Sequence, residues 1–145
     1  MYCPCDAMEV VRIYGVEEDD KTNTIWLRST TPVVMPSGTD YLVMMVIHPD
    51  DDQLSPIQEG QIFTRGEPMF CEGSDDPKST GPHFHISVGK GNKVNGSNWW
   101  IKNKNDAWVL YTTGGTIEIQ DAFYLDPDFT TVIDNGGISF TNVPE

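Results

Sequence analysis

The sequence predicts an all-β fold on three observations. Its apolar residues recur with the period of strands rather than of helices. Its 13 glycines and 10 prolines mark frequent turns. Its hydrophobic content of 38%, with 4 Trp, 5 Tyr and 6 Phe, is enough for one core in a 145-residue chain, a length typical of a single domain.

The first 91 residues contain the predicted core strands. Residues 8–14 and 24–29 are β-branched and aromatic runs separated by an acidic turn over 15–23. Residues 41–48 are apolar at nearly every position, which predicts a central strand buried on both faces. Further strands are predicted at 67–72 and 83–89, and loops at 31–40, 50–56 and 73–82.

Residues 92–145 are predicted to form a β extension packed on the same domain, beyond a core at 1–91. The predicted elements are strands at 99–101, 107–111 and 116–119 and a helical turn at 120–126. Trp99, Trp100 and Trp108 admit two interpretations. They could form a sugar-stacking platform, although tryptophans at strand-like density more often pack in a core or pair across a hairpin.

The charge of the chain is strongly negative, at −13 with a sequence pI of about 4.3. Acidic residues cluster at 17–20, 50–52 and 75–76. Such short runs are usually solvated loop tips, but a single-sign field can also attract a basic partner. Direct binding to nucleic acid is disfavoured because the phosphate backbone repels this charge.

No apolar run is long enough to span a membrane, and the N-terminus lacks the basic-then-apolar layout of a signal peptide. If Met1 is the native start, we expect a cytoplasmic protein; if the chain belongs to a longer protein, its compartment is open.

Cys3, Cys5 and Cys71 do not suggest a disulfide scaffold. Their spacing is a weak match to a zinc site, so we expect Cys3 and Cys5 to serve packing.

The three histidines are the candidate functional residues. His83 and His85 are one residue apart in a predicted strand, so their side chains point to one face. They follow Gly81-Pro82, a stiff turn, and His48 ends the predicted central strand. Histidine is the commonest metal ligand and a common general base near neutral pH. Two histidines on one strand face after a stiff turn therefore indicate a candidate site.

The run Ser-Thr-Gly-Pro-His-Phe-His at 79–85 resembles the signature of the lysostaphin-type (LytM) zinc endopeptidases, which cut peptidoglycan cross-bridges. Residues 2–11, 41–48 and 59–69 are similar to other segments of that family. The resemblance covers residues 2–91 and implies a curled, mainly antiparallel sheet, a zinc cofactor and a peptidoglycan peptide as partner. It implies that His85 is a zinc ligand. It also implies that His48 and His83 are the catalytic residues that handle the attacking water and the developing oxyanion. Because each histidine begins or ends a strand at a position that matches the family, we predict that the three imidazoles converge on one site.

The sequence departs from this family at the metal. The family's other two zinc ligands lie in a His-x-x-x-Asp element before the segment that residues 2–11 resemble, and in this sequence no His-x-x-x-Asp element precedes residues 2–11. A catalytic zinc site needs about three protein ligands, so one ligand should not hold the metal tightly. Three converged imidazoles would still take up zinc or nickel at high concentration.

The function we expect is therefore that of a lysostaphin-type endopeptidase-like domain of phage, prophage or bacterial cell-wall hydrolase origin, inactive or incomplete as this chain. One alternative is a pseudo-enzyme that binds a peptide or a cell-wall fragment. The other is an acidic phage-type effector that occupies a basic, nucleic-acid-binding host protein. The sequence makes no prediction of oligomeric state.

Overall fold

A computed structural model describes residues 1–14, 23–50, 56–73 and 83–123, and the regular secondary structure within them is almost all strand. The described elements, in chain order, are β1 Ala7–Tyr14, β2 Thr24–Ser29, β3 Val33–Met35, β4 Gly38–Asp40, β5 Leu42–Ile47, β6 Ile62–Thr64, β7 His85–Lys90, β8 Trp100–Lys102, β9 Trp108–Leu110, β10 Thr116–Ile117 and α1 Ile119–Ala122. None of the helices among these residues is long and apolar enough to cross a membrane.

The main sheet has six strands in the order β10-β7-β5-β2-β1-β6, and every neighbouring pair is antiparallel. The sheet is open and curled, so the predicted all-β fold is confirmed. A bulge in β1 between Val10 and Arg12 shifts its register against β2. Bulges of this kind increase the local twist of a sheet.

Strand β5 lies at the centre of the sheet, between β2 and β7, and both of its faces are covered. Leu42, Met44 and Val46 belong to one buried cluster, which we call the first core. Val43 and Met45 belong to another, the second core, on the opposite face. This arrangement explains the nearly continuous apolar run and confirms the predicted central strand, because a strand buried on both sides has no polar alternation.

The first core is closed by the N-terminal segment. Cys3 and Cys5 are buried in it as free thiols, as the packing interpretation predicts. The sulfur of Cys3 lies 3.4 Å from the carbonyl oxygens of Cys5 and Phe63. A hydrogen bond with Cys3, together with burial, raises the pKa of the Cys5 thiol well above its ordinary value. Cys5 is therefore held as an inert, protonated side chain.

Two element predictions are wrong. Residues 31–40, expected to be a loop, contain the β3–β4 hairpin. There Val33 and Met35 are buried around an exposed Val34, an alternation that the flanking turn residues obscured. Residues 67–72, expected to be a strand, contribute only isolated bridges through Pro68 and Glu72. A proline has no N–H for a sheet ladder, and β6 pairs with β1 instead.

The described part of the extension packs on the sheet of the core. Trp99 and Leu110 lie in the second core against Trp26, and the rings of Trp26 and Trp100 are 4.9 Å apart. Strand β10 adds to the edge of the main sheet beside β7. The predicted helical turn is α1, and residues 124–126 of that prediction lie outside the described residues. The division at 91 and 92 stays a prediction.

Candidate functional site

His48, His83 and His85 converge, as the sequence predicts. The centroids of their rings are 4.7 Å apart for His48 and His83, 4.9 Å for His83 and His85, and 5.0 Å for His48 and His85. One nitrogen from each ring lies within 4.8 Å of the other two. Residues from two distant parts of the sequence therefore form one compact cluster, which we call the histidine cluster.

The pairing of β5 with β7 brings these residues together. His85 begins β7 and lies opposite Ile47, the last residue of β5, and His48 follows directly. Phe84 packs on the first core, with its ring 5.8 Å from that of Phe70. Neighbouring side chains of an extended segment alternate between faces, so His83 and His85 share the other side. His83 precedes the strand instead of lying in it, and the predicted common face still holds.

The backbone of His48 is held in an unusual conformation. Its φ of 71° is in the left-handed region, which few residues other than glycine adopt. Its N–H donates to the carbonyl oxygen of Asn23 at 3.0 Å, and its own carbonyl accepts from the N–H of Gly73 at 2.8 Å. Backbone strain of this kind persists only where the surroundings enforce it, and it concentrates at functional sites. The two hydrogen bonds provide that enforcement here.

Gly73 is one contact that the sequence did not predict. It is buried, and a Cβ at this position would lie 3.0 Å from the Cα of Asp50. A larger residue would push the backbone of residues 71–73 away from that of residues 48–50. The glycine thus allows the close approach that fixes His48, and its place as the first residue of a predicted loop was the only sequence signal for it.

The histidine cluster lies at one end of the main sheet, on the face that carries the second core. Tyr14, Thr24, Ile47 and His85 are successive cross-strand partners, and directly opposed residues share a face. Tyr14 also contacts Trp100 of the extension, with ring centroids 6.1 Å apart. The aromatic rings that cover the second core therefore lie on the same face as the imidazoles. This neighbourhood was not predicted from the sequence.

The chemistry of the cluster is that of an open nitrogen-donor site. His48 and His83 are half-buried and His85 is exposed. Among the described His, Cys, Asp and Glu side chains, these three alone form a group close enough to hold a metal ion. Imidazole suits zinc, copper, nickel and iron, so the donor set does not select one of them. Zinc, the role of His85 as its ligand and the catalytic roles of His48 and His83 stay predictions.

The three tryptophans do not form a single exposed platform. Trp99 is buried in the second core, and Trp100 is half-buried against Trp26. Trp108 is 50% exposed, with its ring at 6.1 Å from that of Trp100 and the Nζ of Lys102 at 5.1 Å from its centroid. The core and hairpin interpretation therefore describes Trp99 and Trp100, while Trp108 alone presents an open ring.

The acidic runs fall almost wholly outside the described residues. Residues 17–20, 51–52 and 75–76 are not described, and Asp50 is half-buried, with its backbone N–H donating to the carbonyl of Cys71 at 3.0 Å.

No known protein-family model matches the chain, and no curated protein matches it.

Proposed function

We propose that this chain is a lysostaphin-type peptidase-like domain that binds peptidoglycan peptides beside its histidine cluster and does not cleave them. One observation carries the proposal. The three residues that the family resemblance singles out, His48, His83 and His85, meet at one point on one face of a curled antiparallel sheet. Convergence at matching positions is what shared ancestry of the site requires.

The surface beside the cluster suits an extended peptide. Imidazoles both donate and accept hydrogen bonds, so they can pair with peptide N–H and carbonyl groups. The half-buried rings of Tyr14 and Trp100 add apolar contact on the same face, with the guanidinium of Arg12 5.7 Å from the centroid of the Trp100 ring. Clusters that combine apolar area with a few polar groups are typical of ligand sites.

We expect binding without cleavage because the cluster offers three imidazoles to serve as metal ligands and as bases. Metal-assisted hydrolysis of an amide needs a firmly held metal and, beside it, a group that moves the proton of the attacking water. If His48 and His83 move protons, His85 alone is left for the metal. If all three bind the metal, the cluster has no imidazole left as a base. Among the described residues, the three imidazoles by themselves therefore do not supply both a firmly held metal and a base.

The test combines two assays on purified peptidoglycan. Sedimentation with insoluble peptidoglycan should retain the wild-type protein, and His85→Ala should weaken retention at least about tenfold, a loss typical of a central ligand contact. Lys104→Ala, at the exposed turn of the β8–β9 hairpin, is the matched control and should bind normally. Release of soluble fragments should stay at background with added zinc. Failure of the wild type to sediment would refute binding, and chelator-sensitive release abolished by His85→Ala would refute the absence of cleavage.

A second candidate function rests on the net charge of −13. A chain with 22 acidic against 9 basic side chains favours a basic protein partner through long-range attraction. In this case the chain is an acidic effector that occupies a nucleic-acid-binding surface of a host protein. Retention on peptidoglycan that resists salt would favour the first candidate over this one.

A further inference from the structure

We infer that His48, His83 and His85 are all ligands of one divalent transition-metal ion, in a three-histidine site with an open coordination position. This assignment differs from the one that the family resemblance implies, in which only His85 binds metal. It rests on the geometry of the cluster and does not require that the chain bind peptidoglycan.

The shape of the cluster carries the inference. The three centroid separations of 4.7, 4.9 and 5.0 Å form a nearly equilateral triangle, so its centre lies at nearly the same distance from each ring. The ring planes are inclined to each other by 47–87° instead of lying parallel, which excludes simple stacking. Nothing in this arrangement sets His85 apart as a ligand from the other two.

The distances allow an ion to be bound with small side-chain movements. Zinc–nitrogen bonds of about 2.05 Å at a tetrahedral angle separate the donor nitrogens by roughly 3.3 Å. The donor atoms here lie within 4.8 Å of one another, so closure needs them to move inward by no more than about 1.5 Å. Rotation of the exposed His85 and the half-buried His83 supplies such a movement, while the backbone of His48 is fixed by Asn23 and Gly73.

The chemistry of the ion follows from the donors and their surroundings. Three neutral imidazoles favour zinc, cobalt, nickel or copper and disfavour calcium and magnesium, which require oxygen ligands. The negative charge of the chain raises the local concentration of any cation. Because His85 is exposed, the cluster is open to solvent, and water or an anionic group of a ligand would reach the fourth position of a bound ion.

The test is a titration of the metal-free protein with Co²⁺, followed by its visible absorption, with zinc as competitor. We expect one ion per chain and the intense absorption of four-coordinate cobalt. His48→Asn, His83→Ala and His85→Ala should each lower the affinity at least about tenfold, the range lost even when a group that only supports a ligand is removed. Cys71→Ser is the matched control, because its exposed thiol belongs to the segment that pairs with residues 48–50, and this variant should bind cobalt normally.

Several results would overturn the assignment. Wild-type affinity in either His48→Asn or His83→Ala would remove that residue from the ligands, and wild-type affinity in both would leave His85 alone, as in the family pattern. Loss of affinity in Cys71→Ser would add a thiol to the set. Failure of the wild type to bind below about 1 mM would remove the site altogether. A measurement on the wild type alone guards against misfolded variants: zinc should shift the ¹⁵N resonances of all three imidazoles together, and a shift confined to one would refute the proposal.

Discussion

Replacement of His48 by glycine and by alanine tests the unusual backbone on which the histidine cluster depends. Both changes remove the imidazole, so they differ only in the fit of the new residue to a φ of 71°. We expect His48→Gly to be the more stable of the two. At His83, which is not among the residues of positive φ, the order should reverse, and this pair is the matched control.

The magnitude follows from two opposing terms. An alanine in the left-handed region costs about 1–2 kcal/mol, which glycine avoids. Glycine in turn loses about 0.5–1 kcal/mol more conformational entropy on folding. At position 48 the difference leaves glycine more stable by about 0.5–1 kcal/mol. At position 83 the second term acts alone, and alanine should be more stable by a similar amount.

Urea denaturation of the four variants in the presence of a chelator provides the measurement, because the chelator removes any stabilisation by bound metal. With a slope of about 2 kcal/mol per molar urea, the expected difference at position 48 moves the midpoint by roughly 0.3–0.5 M. If His48→Ala proves as stable as His48→Gly, the backbone at this position is not held in the left-handed region. The argument for an enforced conformation would then fail.

Three further outcomes can be checked on the purified protein. A Cβ at Gly89 would lie 2.9 Å from Cδ2 of Leu110 and 3.0 Å from the carbonyl oxygen of Gly115. Gly89→Ala should therefore lower the free energy of unfolding, measured by urea titration, by about 1–3 kcal/mol. An unchanged value would show that the extension does not pack tightly against β7. A thiol reagent should modify Cys71 alone in the native protein and all three cysteines in denaturant, and rapid labelling of a second thiol would contradict the buried packing of the other two. If the acidic charge serves recognition, neutralising residues 50–52 should slow association with a basic partner that has been captured from host lysate at low salt. An unaltered rate of association would assign the charge to solubility.

The local pattern of apolar residues predicted most of the strands of the main sheet. Residues 24–29 were predicted as a strand with the bounds that Thr24–Ser29 has, and the apolar run before His48 predicted the central strand. The spacing of apolar residues predicts these strands because each side chain is buried or exposed according to the face of the sheet on which it lies. It fails where turn chemistry conceals it, as in the β3–β4 hairpin, and where a proline prevents a ladder, as at Pro68.

The sequence by itself also predicted which residues meet, because each of the three histidines begins or ends a strand at a position that matches the lysostaphin-type family. The tertiary structure alone decided how they meet. The left-handed backbone of His48 depends on hydrogen bonds to Asn23 and Gly73, which are distant in sequence. The aromatic cover of the same face depends on the return of the β8–β9 hairpin over the sheet. Such contacts are set by which surfaces pack together, and no local pattern of residues encodes them.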